Sequence, residues 1–242
     1  MTIQLTESEK KIWETALAFA RKNKKGIARK LTDKSRFLPE EEPVSVFMAG
    51  SPGAGKTEAS KELLALFEES RSEILRIDPD ELRRECPNYT GNNSWLFQGA
   101  VSVLVEKIHD LALKQKQSFI LDGTLSHYGK AEQNISRSLK KHRVVQILYV
   151  YQDPKLAWDF VKSRESIEGR RINPENFIDQ YFEARKVVNH LKATFGSDVR
   201  VDLLLKNIDN SHKLYKAGID KVDNHVPEKY TITELEKMLG LS

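Results

Sequence analysis

Gly50, Gly53 and Gly55 lead directly into Lys56 and Thr57, a spacing of residue types suited to holding a polyphosphate. The stretch reads Gly50-Ser51-Pro52-Gly53-Ala54-Gly55-Lys56-Thr57 and matches G-x-x-x-x-G-K-[ST], the P-loop signature. Successive backbone N–H groups can wrap phosphate oxygens only where no Cβ intrudes and where φ can turn positive, which is what the glycines supply. The Lys56 ammonium would reach the β and γ oxygens, and the Thr57 hydroxyl would ligate Mg²⁺. The helix opening at Lys56, Thr57 and Glu58 would aim its positive end at the phosphates. A chance glycine-rich turn would lack what flanks this one, an apolar strand before it and an amphipathic helix after it. The ligand implied is a nucleoside triphosphate with magnesium, ATP in the first instance.

Two further carboxylate positions could share that ligand. The segment 73–78 is a short apolar strand ending in Asp78-Pro79-Asp80, and 118–122 is another ending in Asp122, followed by Thr124. In an open parallel sheet the carboxyl ends of the strands face the ligand crevice. Asp80 lies further out than Asp78, where a carboxylate could accept the proton of an attacking hydroxyl, although an Asp at this point also caps helices. Asp122 has the form of the acid that holds Mg²⁺ directly or through water. Arg164, Arg170 and Arg171 bracket Gly169 in the manner of a lid that forks onto a transferred phosphoryl group; a solvated helix end is the plain alternative.

The elements that must position these residues alternate. Apolar runs at 44–49, 73–78, 118–122, 144–151 and 200–205 read as strands. Helical patterns fall between them at 58–67, 95–115, 130–141, from Pro154 onward and at 177–194, with a small helix at 233–239. That order predicts an α/β fold of the P-loop NTPase type, kinase-like, with three layers and a central parallel sheet flanked by helices. An N-terminal helix and charged connector would occupy 1–42, the kinase domain 43–210, and a tail packed on it 211–242. Residues 6–21 form an amphipathic helix behind a Thr6/Glu9 capping box, and the basic-then-acidic run 22–42 reads as a solvated connector.

Composition narrows the class. Of 242 residues, 39% are hydrophobic and 31% charged, enough for one α/β domain with a core of its own. A net charge of +4 from well-mixed residues neither demands nor excludes nucleic acid. The lone cysteine, Cys86, cannot form an internal disulfide, and no apolar run approaches the roughly 20 residues of a membrane span. With no secretory pattern at the start, a soluble cytoplasmic protein is expected.

Taken in order, these motifs resemble the zeta toxins, P-loop kinases of bacterial toxin–antitoxin systems. The resemblance rests on residues 50–57, on Ile77-Asp78-Pro79-Asp80-Glu81-Leu82-Arg83 with Cys86-Pro87-Asn88-Tyr89, and on Ile120-Leu121-Asp122-Gly123-Thr124. Arg164 and Gly169-Arg170-Arg171-Ile172-Asn173-Pro174 extend it. It implies an ATP-dependent phosphotransferase acting on the 3′-hydroxyl of UDP-N-acetylglucosamine. By the same resemblance Lys56 and Thr57 serve phosphate and magnesium, Asp80 is the catalytic base, and Arg83, Glu106 and Thr124 meet the substrate. Arg164 with Arg170 or Arg171 stabilises the moving phosphoryl group, and an antitoxin can block the nucleotide site. Four features depart: Asp122 stands in place of a Glu, Asn134 in place of a substrate-binding Thr, the lid is shorter, with Arg164 to Arg171 spanning only seven positions, and the loop before Glu106 is reduced. A polynucleotide or other small-molecule kinase, and a nucleotide-binding module without turnover, are the competing expectations.

Overall fold

Five apolar strands line up in parallel in the computed structural model, which describes residues 5–68, 73–169, 172–209, 211–227 and 229–241. The strands are β1 (Val44–Ala49), β2 (Leu75–Ile77), β3 (Phe119–Leu121), β4 (Val144–Tyr151) and β5 (Val199–Lys206). An antiparallel edge strand, β6 (His212–Lys216), completes the order β2-β3-β1-β4-β5-β6. The helices are α1 (Glu7–Leu31), α2 (Lys56–Glu68), α3 (Pro79–Arg83), α4 (Gln98–Lys114), α5 (Tyr128–Leu139), α6 (Pro154–Glu168), α7 (Pro174–Phe195) and α8 (Ile232–Met238). The strands are apolar on both faces because helices cover both. Val46, Met48, Ile120, Leu148 and Val150 cluster with Leu63 and Leu64 of α2. Phe47, Phe119, Ile147 and Tyr149 cluster instead with the buried faces of α4, α5 and α7, and α1 lies on α4. This is the expected three-layer α/β architecture.

The connector is where the charge pattern misled. Far from ending near residue 21, α1 runs through the lysines to Leu31 and buries Ile27 and Ala28. Beyond it, Thr32 and Phe37 are also buried, and the Gln117 side-chain amide donates to the carbonyls of both, at 3.1 and 2.7 Å. Lysines and arginines keep their heads in water while the helix's other face packs, so a basic run and a buried seam coexist. The Thr6/Glu9 capping box is present.

The C-terminal stretch holds the second difference. Residues that read as a polar loop form β6, whose side chains are largely exposed, as an edge strand's can be. Asp202 of β5 secures it: the fully buried carboxylate accepts from Tyr215 Oη, from Gly218 N at 2.7 Å, from Gln146 Nε2 at 2.6 Å and from Arg200 Nε at 2.9 Å. Burial alone would raise this acid, but the hydrogen bonds from Arg200, Tyr215 and Gly218 outweigh it and hold it below the ordinary range. The folded value therefore lies under the unfolded one of about 3.9. Its contribution is complete above that pH and is lost as pH falls through the lower, folded value. Asp202→Asn is expected to lower the melting temperature at pH 7 and to flatten its decline between pH 5 and 3, as followed by circular dichroism. Equal slopes for both proteins would remove Asp202 from the acid response.

Candidate active site

The parallel strands end in one cleft of about 420 Å³ at their carboxyl edge. The turn after β1 forms one wall. Gly50, Gly53 and Gly55 have φ of 133°, 72° and 84°, a backbone that L side chains avoid. Pro52, Gly53, Gly55, Lys56, Thr57 and Glu58 face the cleft, while Ser51 and Ala54 are buried behind them. Lys56 Nζ donates to the carbonyls of Gly50 at 3.0 Å and Ser51 at 2.6 Å, so the ammonium lies within the loop's own curve.

Further lining comes from the segments after β2 and β3 and from α3. β2 stops at Ile77, and Asp78 leaves the sheet as the N-cap of α3, its Oδ1 accepting from Asp80 N at 2.7 Å. Pro79 at the first helical position reinforces the turn. Capping and chemistry are thereby divided between the pair: Asp78 caps, and Asp80, about a third exposed, lines the cleft. Arg83, one turn on, ion-pairs with Asp80 and reaches Gln98 Oε1 at 3.2 Å. Burial pushes the Asp78 carboxyl up, opposed by Arg76 and assisted by its carboxylate neighbours Asp80 and Asp122. Asp122, Gly123 and Thr124 follow β3 into the same space, and the Thr124 hydroxyl lies 2.9 Å from Ser126 Oγ. Phe160, Val161 and Arg164 of α6 close the side, with Gln180 of α7.

The structure therefore brings together Lys56, Thr57, Asp80, Arg83, Asp122, Thr124 and Arg164. Arg170 and Arg171 lie outside the described residues. Glu106 and Asn134 are not among the residues lining the cleft. Glu106 sits on the exposed side of α4, 3.9 Å from Arg137 of α5, which also pairs with Asp110 at 3.1 Å. Asn134 is buried beside His109, whose ring burial pushes down to about 3, reinforced by the Arg137 and Arg143 cations. These groups staple α4 to α5. The basic residues 22–30 lie on α1 and do not line the cleft either.

Oxygen donors of the Thr57 and Asp122 kind fit a hard cation that keeps most of its waters and takes phosphate oxygens as ligands. Among the described residues no group of three or more His, Cys, Asp or Glu could hold a metal without such help. The fit is to a metal–nucleotide complex.

The sequence profile of the zeta toxin family matches residues 27–220. The chain belongs to the zeta toxin family. Zeta toxins are ATP-using kinases, which supports phosphotransferase activity for this chain. The zeta toxin fold recurs in the PezAT chromosomal toxin–antitoxin system of Streptococcus pneumoniae, with a TM-score of 0.60 at 19% identity, over 98% of this chain and 94% of that one. It recurs in the AvrRxo1-ORF1:AvrRxo1-ORF2 complex with sulphate ions, with a TM-score of 0.60 at 15% identity over 89% and 70% of the two chains. The same complex with ATP gives 0.57 at 16% identity, over 86% and 66%. Among curated proteins, none matches the chain. No helix among the described residues is long and apolar enough to cross a membrane.

Beside the motifs this zeta toxin carries residues that sequence reasoning passed over. Arg76 of β2 and Ser60 of α2 both contact Asp122, and Gln98 at the start of α4 holds Arg83. The one available signal was an arginine inside an apolar strand two residues before Asp78.

Proposed function

We propose that the chain transfers the γ-phosphoryl group of ATP to an alcohol of a small acceptor, the 3′-hydroxyl of UDP-N-acetylglucosamine or a related UDP-sugar. The observation that carries this reading is that Lys56 and Asp80 line one cleft. Asp80 accepts a hydrogen bond from the acceptor hydroxyl and takes its proton as the oxygen attacks the γ-phosphorus, and ADP leaves. Arg83 holds Asp80 in place through their ion pair. Lys56 and Arg164 neutralise charge on the phosphoryl oxygens, with an arginine of the pair 170 and 171 joining them. Thr57 and Asp122 would hold Mg²⁺, which when bound offsets phosphate charge.

The cleft's lining favours a small acceptor over a polynucleotide, since the basic run of α1 lies elsewhere. An antitoxin partner is proposed from the toxin–antitoxin relative, and substrates of this kind put the reaction in the cytoplasm. The test is incubation with Mg-ATP and a panel of UDP-sugars, nucleosides and oligonucleotides, following the mass of each. One added phosphoryl group on UDP-N-acetylglucosamine is the expected result. Addition to a different panel member would replace the acceptor, and no ATP consumption with any of them would overturn the kinase reading.

A further inference from the structure

Arg76 occupies surroundings of the kind a bound cation has. Its side chain is only 10% exposed, on a three-residue strand whose other members face the core. One nitrogen, Nη2, donates to Asp78 Oδ2 at 2.6 Å and to Asp122 Oδ2 at 2.6 Å. Nη1 reaches Glu81 Oε1 at 2.8 Å, and Nε donates to Ser60 Oγ at 3.0 Å. Ser60 Oγ is itself 3.0 Å from Asp122 Oδ2. Two buried carboxylate oxygens thus converge on a single nitrogen, over a gap that a divalent ion with oxygen ligands at about 2.0–2.6 Å would bridge.

We propose that Arg76 is the resident cation of this cleft: its guanidinium fills the place between Asp78 and Asp122 that a divalent ion would otherwise take. The site consequently accepts magnesium only together with the nucleotide's phosphates. The inference rests on Asp122 being the metal-side carboxylate of the proposed kinase, and it explains a pairing the motif alone leaves unexplained. A buried carboxylate pair needs a counter-charge in a medium that solvates ions poorly, and the neutral donors Asp80 N and Ser60 Oγ supply hydrogen bonds but no charge. Arg supplies it with fixed geometry, and a fork of donors orients both acids at once. Arg76 and Ser60 both engage Asp122 through Oδ2, so Oδ1 is the oxygen assigned to the metal or its water. The same fork joins α3, through Asp78 and Glu81, to β3, so Arg76 is also a positioning residue for the segment that carries Asp80.

The test measures Mn²⁺ binding to the full chain by the loss of the free-ion electron paramagnetic resonance signal, first without nucleotide and then with ADP. The wild type is expected to bind Mn²⁺ appreciably only with ADP. Arg76→Met removes a unit charge from beside two acids and is expected to bind Mn²⁺ without nucleotide at least about tenfold more tightly than the wild type. Adding Asp122→Asn to that variant should abolish the gain. Arg76→Lys keeps the charge but not the fork, so it should show no gain; a merely structural arginine would be missed equally in Lys and Met. Superimposable isotherms for wild type and Arg76→Met, or an equal gain in Arg76→Lys, would overturn the proposal. If Arg76→Met does not fold, Arg76→Gln carries the same expectation with a donor retained. None of these readings requires turnover: a wild type that phosphorylates nothing would sink the kinase proposal and leave the Mn²⁺ isotherms to judge this one.

Discussion

Asp80→Asn is expected to lower turnover by about 10²–10⁴ while leaving ATP affinity near that of the wild type. The two carboxylates around Pro79 divide the work, and the structure says how. Asp78 is buried, caps α3 and is gripped by Arg76, so it has no freedom to meet an acceptor. Asp80 is the exposed member, on the first turn of α3 and in the cleft. Asparagine matches its shape and keeps one accepting oxygen, so the acceptor can still bind; what disappears is a site for the proton. The loss should therefore fall on kcat, with little change in KM for ATP, as measured by coupled ADP release alongside titration calorimetry with ATP. Lys56 lines the same cleft and donates to the carbonyls of Gly50 and Ser51, contacts of the phosphate loop that the substitution leaves in place. Wild-type turnover in Asp80→Asn would remove the base from the mechanism.

Much of this site was legible because a phosphate cradle is built from consecutive residues. Gly50 to Thr57 specify their geometry locally, and the strand-end acids Asp122 and Asp80 follow from the rule that parallel strands point their carboxyl ends at the ligand. What was not legible depends on contacts between distant segments. Arg76 reads as one charged position in a strand, and nothing nearby tells that Asp122, 46 residues later, will meet it. Glu106 and Asn134 show the converse: their spacing from Asp122 places them on the right helices, but a helix has several faces. Arg137 draws Glu106 and Asp110 together on one of them, and neither acid is among the residues lining the cleft. The second half of α1 was misread for a related reason. Six cations between residues 21 and 30 advertise solvent, while the seam that holds the helix down, Ile27 and Ala28, is only two residues wide. β6 is short and polar, and its place in the sheet is fixed by Asp202, on a different strand, rather than by its own alternation.

Gly53→Ala is the substitution expected to damage fold and site together. The residue has φ of 72°, and a Cβ there would stand 2.0 Å from the Ala157 carbonyl oxygen, 2.8 Å from its carbon and 3.1 Å from Val161 Cγ2. Two of those three neighbours are backbone of α6, which cannot swing aside as a side-chain tip can. α6 is moreover fixed at its start: Asp153 caps it through Lys155 N and Leu156 N, and Tyr230 Oη holds the same carboxylate at 2.9 Å. Left-handed backbone costs a non-glycine residue about 1–3 kcal/mol. Overpacking against an immobile neighbour adds about 1–3 kcal/mol, so stability should fall by about 2–6 kcal/mol. For a chain of this size that is a drop of about 4–24 °C in melting temperature. Relief can come only from the loop or from α6 moving, and either displaces groups that line the cleft: Lys56 after the loop, or Arg164 of α6. Nucleotide affinity should therefore fall with stability, measured by thermal denaturation with and without Mg-ATP. Gly129→Ala is the control, since a Cβ there meets nothing within 4 Å. If Gly53→Ala melts and binds like that control, the loop is not braced against α6, and the cleft's two phosphate-facing walls are independent of each other.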